Sequence, residues 1–179
     1  MSTPVDLSSF LATAKPANLG PDPRPGVQTQ AGLEEQLKPL LEASGLPIER
    51  RQLVRALVLL WHDHLNAAHV IAQDHEGPDG AFVHGIMHRR EPDFGNAAYW
   101  FRRVGRHPAF AEIGSQAAIL LRSTSHRDLV AKLPSNGEWD PFAFIDACAR
   151  ASSNSARSQS ELRELQRIEF SALLSHLLR

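Results

Sequence analysis

Apolar positions recur at helical spacing along most of the chain. Leu33, Leu37, Leu40 and Leu41 share a face, which predicts a helix stopped by Gly45 and Pro47. Pro39 inside that run predicts a kink or a fresh start. The longest predicted helix runs from Glu49 to Gln73, with no Gly or Pro inside. Leu53, Leu57, Leu60, Ala67 or Ala68, and Ile71 line one side of it. Val54, Val58, Leu59 and Trp61 widen that surface, as expected of a helix at the centre of its domain. Gly77-Pro78-Asp79-Gly80 predicts a loop from Asp74 to Gly80. Further helices are predicted over Ala81–Arg90, Asn96–Val104, Ala109–Ser123, Arg127–Leu133, Asp140–Ser152 and Glu161–Leu178. Pro92, Gly105, Pro108, Pro134 and the Asp140-Pro141 pair punctuate them. No segment alternates as a strand would. The expected fold is all-α: a single compact domain of about seven or eight helices around one central long helix.

Residues 1–30 break this pattern and read as a Pro-rich arm ahead of a helical domain over 31–179. Val5 to Ala14 predicts a short helix. Pro16, Pro21, Pro23 and Pro25, with Gly20 and Gly26, then predict extended chain to Gln30. Such a segment either packs on the surface or hangs loose, and a linker or tail is its simplest reading.

Composition narrows the function classes. The chain has 179 residues, 19 Lys+Arg and 20 Asp+Glu, for a net charge of −1. A dedicated nucleic-acid binder carries a basic excess, and the acids interleaved with Arg102, Arg103 and Arg106 weaken any local field. No apolar run approaches the ~20 residues of a membrane span, and no secretory signal pattern is visible. Neither nucleic acid nor membrane is therefore expected as a partner, and a cytoplasmic location is the default. The single cysteine, Cys148, excludes an intramolecular disulfide and reads as a buried small residue. Phosphate-loop, dinucleotide-binding and serine-elbow motifs are absent.

Histidine is the unusual residue. Six of the nine lie between His62 and His88. His62, Asn66, His69 and Gln73 form a stripe along the predicted central helix. An ordinary solvent face would explain a polar stripe, but such faces favour Lys, Glu and Arg. His, Asn and Gln are better suited to directed hydrogen bonds. His84 and His88 stand one helical turn apart, a spacing that can present two imidazoles to one ion. The zinc-protease motif is ruled out by its missing glutamate and by the spacing. The short loop before this helix predicts a hairpin with the central one, bringing His84 and His88 towards His62 or His69. His62 and His69 are roughly 10 Å apart along a helix, too far to share one ion. One of the two would join His84 and His88, and the candidate metal ligands are taken as His69, His84 and His88. The candidate ligand-binding residues are His62, Asp63, His69, Gln73, Arg89, Arg90 and Tyr99, the arginines as a clamp on an anion. Ion pairing at a helix end is the plainer role for those arginines. Glu169 must be exposed or paired, and exposure is the simpler expectation. His107, His126 and His176 look isolated.

The run His84-Gly85-Ile86-Met87-His88-Arg89-Arg90-Glu91-Pro92-Asp93, then Asn96-Ala97 and Tyr99-Trp100-Phe101-Arg102-Arg103-Val104-Gly105, resembles a motif in a family of uncharacterised bacterial and fungal proteins. Trp61-His62-Asp63, His69, Gln73, Trp139-Asp140-Pro141-Phe142 and Glu169 fit the same pattern, over roughly residues 50–175. The resemblance implies a shared functional centre and no particular reaction.

Two functions follow as expectations. In the first, an interhelical His/Arg pocket binds a small anionic molecule, with a divalent metal such as Zn, Ni, Mn or Fe as candidate cofactor. Metal-assisted hydrolysis would then be the reaction class. In the second, the same residues form a structural hydrogen-bond and ion-pair network inside a non-enzymatic interaction module.

Overall fold

A computed structural model describes residues 6–122, 137–151 and 156–179. The predicted helix over Arg127–Leu133, and His126, lie outside the described residues. A 3₁₀ turn, Leu7–Leu11, comes first. Eight α-helices follow among the described residues: α1 Gln30–Ala43, α2 Ile48–Trp61, α3 Leu65–Ala72, α4 Pro78–Arg90, α5 Phe94–Val104, α6 Ala109–Leu121, α7 Pro141–Ala149 and α8 Ala156–Leu177. There is no strand among them.

Local chemistry sets most of these boundaries. Thr29 caps α1 by accepting from the Gly32 amide, and Asp93 caps α5 by accepting from Asn96. Asp140 accepts from the Phe142 and Ala143 amides at the start of α7, where Pro141 occupies the first turn. Pro39 lies inside α1 rather than at a break. Pro78 begins α4, inside the stretch expected to be loop, because a first-turn proline gives up no helical hydrogen bond.

The expected helix over Glu49–Gln73 is not continuous. It ends at Trp61 and restarts at Leu65. Asp63 causes the break. Its φ is +68°, in the left-handed region that Asp tolerates better than most residues. Its carboxylate accepts from the Arg24 amide (2.9 Å), from Arg24 Nε (2.8 Å) and from an Arg90 terminal nitrogen (2.6 Å). The same guanidinium groups also donate to the Trp61 and Leu60 carbonyls at the end of α2. Two cations thus meet one carboxylate and the negative end of a helix dipole. Burial opposes the Asp63 charge, but Arg24 and Arg90 outweigh it and hold the carboxyl below its ordinary value. Burial also draws Arg90 down to about 10, which leaves it protonated at neutral pH.

From Leu53 to Trp61, α2 is buried except at Arg55. It packs against α1, α3, α4, α8 and the 3₁₀ turn. Trp61 meets Phe170 of α8 edge-on, with ring centroids 5.1 Å apart. The arm is packed rather than loose. Leu7, Leu11, Ala17 and Arg24 are buried. His62 Nε2 donates to the Phe10 carbonyl (2.8 Å), and Gln166 of α8 donates to the Ala17 and Asn18 carbonyls. Removing Asp63 would strand two buried arginines. Asp63→Ala is expected to cost ~3–5 kcal/mol, read as a lowered urea midpoint with an unchanged spectroscopic baseline.

Candidate metal centre

Three histidines converge where α3 folds back onto α4. His69 lies on α3, and His84 and His88 lie one turn apart on α4. Each can offer a ring nitrogen, and these three atoms lie within 4.8 Å of one another. His84 and His88 stack nearly parallel, with centroids 5.8 Å apart and planes 8° apart. His69 stands edge-on to both, at 5.2 and 5.4 Å. The break at Asp63 lets α3 leave the α2 axis, and α3 then carries His69 against α4.

Neighbouring groups hold these rings. Trp100 of α5 stacks on His84 at 4.0 Å, with planes 7° apart. Glu91 lies 3.3 Å from His88 Nδ1, and the Asn96 amide nitrogen lies 3.2 Å from His88 Nε2. Gly85 allows the close approach of α5. A Cβ there would sit 2.7 Å from two ring carbons of Phe101. Gly80 plays the same part at the start of α4, where a Cβ would meet the His75 carbonyl.

The electrostatics favour neutral imidazoles at His84 and His88. Burial disfavours the His84 imidazolium, and His69 and His88 add to that, taking its pKa to about 4. Burial lowers His88 as well, with Glu91 opposing. His84 Nδ1 is buried and has no hydrogen-bond partner. A buried nitrogen left unpaired is costly, and coordination is one way to satisfy it. The cluster could hold a metal ion.

The other expected site residues are placed elsewhere. Arg89 forms a buried ion pair with Glu169 and lies over the Phe144 ring at 4.4 Å. Glu169 is therefore buried, and the expectation of an exposed carboxylate is overturned. Arg90 and Asp63 bind each other, and His62 binds the arm. The arginine clamp thus has its charges already engaged inside the protein. Gln73 is exposed at the end of α3, and Tyr99 is 47% exposed beside Trp100. Cys148 is buried, which pushes its thiol up to about 12, an unreactive state.

A second cluster escaped the sequence reading. Asp79 Oδ1 lies 2.8 Å from His107 Nε2 and 3.1 Å from His176 Nε2. The Ala109 amide donates to His107 Nδ1, so the His107 ring proton sits on Nε2 and faces Asp79. That geometry favours a hydrogen-bonded clamp joining α4 to α8 over metal ligation. Its members span 97 residues of the chain, and no local pattern links them. No family model, curated protein or solved structure matches this chain.

Two outcomes are expected. Gly85→Ala must push α4 and α5 apart, lowering stability by ~1–3 kcal/mol in chemical denaturation. His62, His84, His88 and His176 all have lowered pKa values, with burial the largest cause in each. Protons then bind the unfolded chain first. Their contribution is complete above 6.5, and His84's is lost as pH falls towards about 4. Thermal melts across that range should show a steady fall in Tm on acidification.

Proposed function

We propose that the protein binds a divalent first-row metal at His69, His84 and His88 and uses it to hold and activate a small anionic molecule or water. The observation that carries this is the trio of ring nitrogens within 4.8 Å, with a buried, unpartnered nitrogen on His84. Three imidazoles suit Zn, Ni or Fe better than Mg or Ca, which prefer oxygen. Three protein ligands also leave a position open to water or substrate, the pattern of catalytic rather than structural zinc sites. A metal there would act as a Lewis acid and make a bound water more acidic, which supports hydrolysis as the reaction class.

The protein groups around the trio have defined parts in this reading. Glu91 orients His88 through Nδ1, as carboxylates behind metal-binding histidines do. Trp100 fixes the His84 ring plane. The exposed Arg103 lies over Trp100, 5.4 Å from the ring centroid. It brings a cation next to Trp100, which supports an anionic ligand. Arg103 takes the role that the sequence suggested for Arg89 and Arg90.

A second reading draws on the edge-on packing of His69 against His84 and His88. In it the rings are only a packed polar cluster. Metal analysis of untagged protein prepared without chelator separates the two. The expected result is about one equivalent of metal, falling below roughly a tenth in the His84→Ala/His88→Ala variant. Added Zn²⁺ or Ni²⁺ should raise the Tm of the metal-stripped wild type and leave that variant unmoved. Absence of metal, with no thermal shift on adding Zn²⁺, Ni²⁺, Mn²⁺ or Fe²⁺, would sink the metal reading.

A further inference from the structure

A cavity lies away from the histidine trio, between the arm and the helices beneath it. Its volume is about 630 Å³, within the range of small-molecule sites. Its walls come from residues 9–18 and 24–28 of the arm, with Gln36 of α1, His62 and Arg163 of α8.

The charges on these walls are one-sided. Lys15, Arg24 and Arg163 line the cavity, and no Asp or Glu does so among the described residues. That bias is notable in a chain whose net charge is −1. Arg24 is paired with Asp63. Arg163 is not neutralised. Its Nε is buried with no hydrogen-bond partner, and no described acid pairs with it. It stands one turn before Gln166, the residue that fastens the arm to α8. A half-buried guanidinium without a counter-charge is costly unless something else supplies one. Phe10, Ala12, Pro25 and Val27 also line the cavity and give it apolar surface. A neighbouring cavity of about 450 Å³ shares Asn18 and Arg163, but Asp22 lines it and its other arginine, Arg89, is already paired.

We propose that the cavity under the N-terminal arm is a second binding site, for a small organic anion whose carboxylate or phosphate head pairs with Arg163 and Lys15 and whose apolar body lies against Phe10 and Val27. Arginine's planar fork suits either head group. The site is independent of the histidine trio, because none of its lining residues belongs to that trio. The arm forms most of one wall, so occupancy also bears on how firmly residues 6–28 stay in place.

The test uses the full chain and three simple probes: octanoate, octyl phosphate and the neutral n-octanol, followed by ligand-observed NMR and calorimetry. At least one anion should bind, with n-octanol weaker by roughly tenfold or more. The stronger of the two anions identifies the head group. Arg163→Gln should weaken the anion by a similar factor of about ten, and Arg163→Lys should recover part of it. Arg163 pairs with no described group, so Arg163→Gln is expected to melt no lower than wild type. Should it fail to fold, Lys15→Gln carries the same test on an exposed residue, with a smaller loss. Binding should also weaken as salt is raised. The His84→Ala/His88→Ala variant should bind the anion as wild type does, which keeps this result separate from the fate of the metal reading. The proposal is overturned if neither anion binds at millimolar concentration. Equal binding of n-octanol, or unchanged binding by both Arg163→Gln and Lys15→Gln, would overturn it too.

Discussion

Asp63 accepts hydrogen bonds from Arg24 and Arg90 inside the protein, and all three side chains are buried. The positive φ of Asp63 ends α2 and redirects the chain into α3. Arg24 belongs to the arm, so the same carboxylate fastens residues 6–28 to the helical body. Arg90 ends α4, so it also ties that helix to the close of α2. The excess positive charge is met by carbonyls at the end of α2. Replacing such a cluster wholesale with apolar side chains can be harmless, whereas removing one member leaves a buried charge exposed to nothing but low dielectric.

The arginines and histidines of the central region consequently divide into two roles. Arg24, Arg89 and Arg90 are consumed by Asp63, Glu169, Gln166 and backbone carbonyls. They hold the arm, α2, α4 and α8 in register. The trio of His69, His84 and His88 has no such pairing with the rest of the core, apart from Glu91 and Asn96 beside His88. The arginines are thus held in ion pairs, and the three imidazoles are left as the candidate metal ligands. The contrast follows from charge: a guanidinium cannot shed its proton and must be paired when buried, whereas an imidazole can stay neutral.

The two glycines of α4 show how backbone contact serves the histidines. Gly85 lets the Phe101 ring lie directly on α4, and Trp100, its neighbour, then stacks on His84. Gly80 lets the α3–α4 loop fold tightly over the first turn of α4. That tight return keeps α3 beside α4 and so keeps His69 opposite His84 and His88. A helix with side chains at both points would sit farther out and spread the rings.

Helical periodicity, caps and proline punctuation determined the all-α class and most helix positions, because these signals act within a turn or two of chain. The i, i+4 spacing of His84 and His88 and the short loop before them brought the pair towards His62 or His69, and the fold selected His69. Tertiary structure decided what depends on distant partners. The break at Asp63 needs Arg24, 39 residues earlier, and the burial of Glu169 needs Arg89, 80 residues away. The Asp79–His107–His176 clamp and the unpaired Arg163 under the arm likewise have no local signature. A charged side chain reads as surface until a counter-charge from elsewhere makes its burial affordable, and that counter-charge is visible only once the chain has folded.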